Sequence, residues 1–127
     1  MTFAGYCERR RIAVDERVCE EGDRSNEVFF VTVGSLDVVK AARSAKPVRL
    51  AKLQSGSIAG EIAFYTGEAR SASIVAVVPS VVHVLTRAKL AEMRERHPTL
   101  AQAFDQTVIR EMALSLARTS RLVASLS

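Results

Sequence analysis

Short apolar runs separated by turn residues occupy the first two thirds of the chain, and a four-residue apolar repeat occupies the rest. Glu27-Val28-Phe29-Phe30-Val31-Thr32-Val33 is rich in β-branched and aromatic residues, which pack well on a pleated surface. Leu36-Asp37-Val38-Val39-Lys40 follows after Gly34-Ser35, a Gly-X pair suited to a type II′ turn, so the two runs predict a β-hairpin. Ala41 to Pro47 is small, polar and basic and reads as a loop. Val48-Arg49-Leu50-Ala51-Lys52-Leu53 alternates in the period-two manner of a half-buried strand, and Gln54 to Ser57 turns the chain. Ser73 to Val78 and Val81 to Thr86 are two more strands, with the turn at Pro79-Ser80, where proline fixes φ and removes a donor. Strands at this spacing predict an antiparallel sandwich or barrel.

The period changes at Thr86. A threonine hydroxyl there suits an N-cap for a short helix over Arg87 to Arg96, with Leu90 and Met93 on one face and Pro98 enforcing the stop. Beyond it, Leu100, Phe104, Val108, Met112 and Leu116 recur every fourth residue, and Ile109, Ala113 and Val123 broaden the stripe into the apolar face of one long helix. The plain reading is a helix packed on the β-domain. The stripe runs about seven turns at 3.6 residues each, so a dimer contact or a lid is also open. No internal repeat and no interdomain linker is evident.

Length and composition narrow the class. A chain of 127 residues, 48% apolar and 25% charged, suffices for one folded domain with a real core. The longest uncharged stretch, Ser71 to Thr86, is broken by Pro79, Ser80 and His83 and is too short to span a bilayer. At the N-terminus Arg9-Arg10-Arg11 follows the apolar residues, the reverse of a secretory signal, so the expected compartment is cytoplasmic. Cys7, Cys19, His83 and His97 are too scattered for a closed metal site, and the cysteines read as reduced structural thiols. The balance of 18 Lys and Arg against 14 Asp and Glu gives +4, mild for a nucleic-acid binder and equally suited to an anionic small ligand.

The segment from Gly60 to Ser73 mixes glycine, acid, hydroxyl and arginine with apolar residues and has little reason to be a regular strand. If Glu61-Ile62-Ala63-Phe64 form one helical turn after the flexible Gly60, their free N–H groups favour an anion. The guanidinium of Arg70 offers a planar fork that matches two phosphate oxygens. Ser71 and Ser73 add hydroxyl donors, and the Glu61 carboxylate accepts from sugar hydroxyls. Each of these residues read alone is more often an ordinary surface group than a ligand contact, and Glu61 or Glu68 paired with Arg70 would merely tie a loop.

Taken together, these residues resemble the cyclic nucleotide-binding domain family, whose phosphate-binding cassette has Gly-Glu, a short helix, and Arg followed by small and hydroxyl residues. The match is Gly60-Glu61-Ile62-Ala63 and Arg70-Ser71-Ala72-Ser73, with the family's ten-residue step. Gly22-Asp23 before the Glu27 strand, Gly34 at the family's hairpin glycine, and Gly56 ahead of the cassette extend the resemblance over about residues 12 to 120. It implies a single domain over 1–127: an antiparallel, jelly-roll-like β-roll over about 12–86, flanked by a short helix and a long C-terminal helix over about 87–126. It implies that Arg70 neutralises a cyclic phosphate, that the amides near Ile62 and Ala63 and groups of Ser71, Ala72 and Ser73 donate to its oxygens, and that Glu61 takes the ribose 2′-OH. The terminal helix would be a lid over the base, with Arg118, Thr119 and Arg121 as candidates.

The chain departs from the pattern at Ala59 and Ala69, where the family has a larger apolar residue and a proline, which loosens the cassette. Asp15-Glu16 replaces a frequent turn glycine, and about eleven residues stand where the family has N-terminal helices. No helix-turn-helix follows the long helix, so direct nucleic-acid binding is not expected. Arg70 to Ala76 and the Pro98-Thr99-Leu100-Ala101 entry to the tail are similar to domains at the C-terminus of bacterial sulfate-permease-type transporters, which would make a linked or associated transporter the effector and the cytoplasmic face of the inner membrane the location. The function expected is a non-catalytic sensor module that binds a cyclic nucleotide, cAMP ahead of cGMP, with no cofactor. The alternative is a degenerate β-roll that serves as a structural or dimerisation domain without ligand, using the stripe of the C-terminal helix. An enzyme is disfavoured: Gly56-Ser57-Ile58-Ala59-Gly60 lacks a nucleophile at its centre, and no phosphate-loop lysine motif occurs.

Overall fold

A computed structural model describes residues 2–24, 27–41 and 46–126, without the side chains of 62, 115–116 and 118–126. The chain forms two compact units, Met1–Leu90 and Ala91–Ser127.

The first unit is a roll of two four-stranded antiparallel sheets. A 3₁₀ turn at Phe3–Tyr6 leads into β1 (Glu8–Ile12), followed by β2 (Arg17–Cys19), β3 (Glu27–Val33), β4 (Ser35–Lys40), β5 (Val48–Gln54), β6 (Ile58–Ala59), α1 (Glu61–Thr66), β7 (Ser73–Ala76) and β8 (Ser80–Thr86). Sheet A has the order β1-β8-β3-β6 and sheet B the order β2-β7-β4-β5. Alternate residues of both sheets meet in one core of Ile12, Cys19, Phe29, Val31, Leu36, Ala59, Ile74, Ala76, Val82 and Val84, as a two-sided sandwich requires. Val28 and Leu85, paired on the other face of sheet A, are fully buried as well.

Three sequence expectations change here. The β3 and β4 runs are strands, but they do not pair with one another, because β3 joins β8 and β6 while β4 joins β7 and β5. Gly34 is therefore a corner between sheets instead of a hairpin turn. It has φ of 100°, and a Cβ there would lie 2.2 Å from Ser80 Oγ and 2.8 Å from Ser80 Cα, so the crossing chain passes too close for a side chain. Second, β5 is an edge strand and is mostly exposed, with only Leu53 partly buried. A register shift between Val38 and Val39 leaves Leu50 without a cross-strand partner and 56% exposed. Third, the roll begins before residue 12, since Glu8–Ile12 pairs along the full Val84 to Ser80 register of β8.

The short helix α2 covers Arg87–Arg96, and the amide of Lys89 donates to Thr86 Oγ1 at 3.1 Å, the cap that the threonine predicts. After His97, α3 runs over Pro98–Leu126. In the second unit Met93, Ala101, Phe104 and Val108 are buried, while Ile109 is 61% exposed and Ala113 is also exposed, so the buried stripe is narrower than the repeat implies. Arg94 grips Asp105 through two parallel bonds of 2.5 and 2.8 Å across the proline corner. Among the described residues no helix is long and apolar enough to cross a membrane.

Candidate functional site

The segment after β6 folds as its sequence dictates. Gly60 takes the left-handed conformation, φ 83°, which turns the strand into α1. Its carbonyl accepts from the amide of Phe64 at 3.0 Å, and Gly67 closes the helix by donating to Ala63 O at 2.9 Å. The amides at positions 62 and 63 have no acceptor within so short a helix. Phe64 is buried at 2% exposure, and Arg87, at the start of α2, donates to its carbonyl and stands 5.7 Å over its ring.

Arg70 is the most consequential side chain of the segment. Its backbone is locked to the Gly22-Asp23 turn: Arg70 N donates to Asp23 O at 2.7 Å, and Gly22 N donates to Arg70 O at 2.8 Å. Its guanidinium turns inward and is only 4% exposed. Nη1 donates to Gly60 O at 2.9 Å, Nη2 donates to Glu27 O, and the Phe29 ring lies 5.2 Å from Cζ. A Cβ on residue 60 would lie 2.4 Å from Nη1, so glycine is what admits the guanidinium. Among the described residues no carboxylate pairs with Arg70, and the buried Nε–H finds no acceptor. Removing a guanidinium from water costs several kcal/mol; two carbonyls and an aromatic face, worth roughly 0.5–2 kcal/mol for the ring, oppose that cost without supplying a counter-charge, and the Nε–H stays unbonded. Chemically, such a group can accept an anion.

The other residues of the motif divide. Gly60 and Arg70 meet directly, and Glu61 and Ala63 follow Gly60 on α1, Glu61 partly buried and Ala63 buried; the Ile62 side chain lies outside the described residues. Ser71 is exposed and its carbonyl accepts from Lys40 Nζ at 2.9 Å, while Ala72 is buried. Ser73 alternates with the core residue Ile74 and so faces away from Arg70. Its hydroxyl accepts from Arg17 Nη1 at 3.0 Å and from the Glu21 amide at 2.9 Å, beside an open recess of about 280 Å3. Arg118, Thr119 and Arg121 lie on α3, but their side chains are outside the described residues.

Glu27, Phe29 and Arg87 were not singled out by sequence reasoning. Glu27 and Phe29 are two apart on one strand and share a face, a signal available from the alternation alone. The Glu27 carboxylate is bound by Arg10 Nη2 at 2.8 Å, and Arg10 also holds Glu8 at 3.1 Å, which draws the Glu8 carboxyl below its ordinary range. Burial raises the Cys19 thiol, against a smaller opposing pull from the Arg70 charge. Among the described residues no group of three or more His, Cys, Asp or Glu is placed to hold a metal.

Residues 9–97 match the family model of the cyclic nucleotide-binding domain, and the chain belongs to that family. It is 27% identical over 126 residues to the cAMP-activated global transcriptional regulator Vfr of Pseudomonas aeruginosa, a match that covers 96% of this chain and 57% of the regulator. The chain thus spans little more than half of that relative's length. The crystal structure of a cyclic nucleotide-binding domain from Methylobacillus flagellatus KT superposes with a TM-score of 0.77 at 28% identity, over 92% of this chain and 64% of the other. For the catabolite activator protein of Thermus thermophilus the values are 0.71 and 26%, over 92% and 56%.

Proposed function

We propose that the chain is a non-catalytic regulatory module that binds a cyclic nucleotide, cAMP in preference to cGMP, at the Gly60 to Ala72 segment. The buried guanidinium of Arg70, which faces two carbonyls and no carboxylate, is the observation that carries this reading. An anionic cyclic diester supplies the missing counter-charge. The amides of Ile62 and Ala63 and groups of Ser71 and Ala72 donate to its oxygens, and Glu61 takes the ribose 2′-OH. Ser73, engaged by Arg17 and Glu21, steadies β7 and does not touch the ligand. The cAMP-activated regulator among the relatives supports the choice of base. The C-terminal helix closes as a lid through Arg118, Thr119 and Arg121 and offers a dimer contact. Closure is read by a linked or associated effector domain, in the cytoplasm. Ligand drives it only through unequal affinity for the open and closed states.

Titration calorimetry with cAMP, cGMP and linear AMP tests the reading. The expected order is cAMP, then cGMP, with linear AMP far weaker. Arg70→Gln loses a charged contact worth about 1.5–3 kcal/mol while circular dichroism shows an intact fold. Arg70→Lys, which keeps the charge, serves if Arg70→Gln fails to fold. No heat with any of the three nucleotides would overturn the proposal and leave a roll that serves only as a structural or dimerisation element.

A further inference from the structure

Arg70 donates to the backbone carbonyl of Glu27, a residue that also carries a carboxylate. Glu27 sits on the core face of β3 with Phe29, whose ring the guanidinium covers, so its side chain leaves the strand on the same face as Arg70. It is held elsewhere. On β1, the edge strand separated from β3 by β8, Arg10 stands opposite the core residue Val82 on the same face, and its Nη2 reaches across to Glu27 Oε2 at 2.8 Å. Glu8, two residues away on β1, anchors Arg10 from behind through Nε at 3.1 Å and Nη2 at 3.3 Å. Arg10 and Arg70 both bond Glu27, the first at its carboxylate and the second at its carbonyl, so the carboxylate is committed to Arg10.

We propose that Arg10 is a positioning residue that sequesters the Glu27 carboxylate and so keeps Arg70 open to an anionic ligand. Without Arg10, Glu27 turns to Arg70, closes an internal ion pair, and competes directly with the phosphodiester. A buried charge pair broken by a ligand must be repaid by that ligand, so affinity falls without any loss of a ligand contact. The inference rests on the reading of Arg70 as the phosphate contact. It also makes β1, which the sequence offers only as a run of arginines, part of the site's electrostatics.

Two measurements test it. In the first, cAMP affinity is compared for the full chain, Arg10→Ala, Arg10→Lys, and Arg10→Ala combined with Glu27→Gln. Arg10→Ala weakens binding about tenfold, a coupling of ordinary size. Arg10→Lys stays near the parent, and the added Glu27→Gln restores affinity, which a merely structural loss would not allow. Unchanged affinity in Arg10→Ala, or no recovery in the combined variant, overturns the proposal. The second needs no nucleotide: a urea-denaturation double-mutant cycle between Glu27→Gln and Arg70→Gln, run with Arg10 present and again in the Arg10→Ala background. The coupling is near zero in the first and favourable in the second. Absence of coupling in the Arg10→Ala background overturns the proposal even if cAMP binds. Coupling there without cAMP binding upholds the competition and sinks the nucleotide reading instead.

Discussion

Gly60→Ala separates two costs that the site places on one residue. The first is conformational: residue 60 has φ 83°, and an L side chain in the left-handed region costs about 1–2 kcal/mol. The second is contact. The new Cβ would lie 2.4 Å from Arg70 Nη1, 3.2 Å from Cζ and 3.3 Å from Glu27 O. The guanidinium is the far end of a flexible chain and gives way, but it then loses its bond to Gly60 O, a charged hydrogen bond worth about 1.5–3 kcal/mol. The two sum to roughly 2.5–5 kcal/mol. Gly67→Ala is the control, because residue 67 is also left-handed, φ 74°, and has nothing within 4 Å of an added Cβ. It should cost only the conformational share, about 1–2 kcal/mol. Urea denaturation followed by circular dichroism measures both variants. Equal costs at the two positions would refute the claim that the guanidinium is pressed against Gly60.

Other outcomes follow from the same geometry. Gly34→Ala should cost about 2–5 kcal/mol in the same assay, since left-handed strain adds to overpacking against the backbone of Ser80, which cannot swing aside. Arg87→Met removes the donor on the Phe64 carbonyl, so amide exchange in α1 should accelerate about tenfold, the equivalent of one hydrogen bond. Burial pushes the Cys7 thiol up to about 11 from an ordinary 9.0. Because the fold favours the neutral thiol, this contribution is complete below pH 9 and is lost as pH rises through 11, and thiolate absorbance of a Cys19→Ala variant should show the late midpoint.

The local fold of the Gly60 to Arg70 segment was legible because its signals are local. A glycine before a short amphipathic turn and an arginine ten residues on need no knowledge of strand pairing, and the α2 cap and the Pro98 break are equally local. Pairing was not legible. Gly34-Ser35 carries the same turn chemistry whether the chain folds back on itself or crosses to another sheet, and only the approach of Ser80 decides between them. β1 escaped notice because Glu8-Arg9-Arg10-Arg11 has no β-favouring residue before Ile12, and it is a strand because β8 offers it a partner. The period-two alternation of β5 promised a buried face, but a bulge at an edge left Val48 and Leu50 in water. Ser73 matched the motif by spacing, yet the two-residue period turned its hydroxyl to the opposite face from Ile74. Alternation along β3 puts Glu27 and Phe29 on one face, but that the Glu27 carbonyl accepts from Arg70 is marked by no sequence pattern.

The central claim concerns one side chain, and nitrogen-15 NMR observes it directly. The Arg70 Nε–H, identified by its absence in Arg70→Lys, should shift in a saturable way as cAMP is added and stay still with adenosine, which has no phosphate. A cAMP titration that moves other resonances while the Arg70 signal holds its position, or one that moves none, would contradict the account.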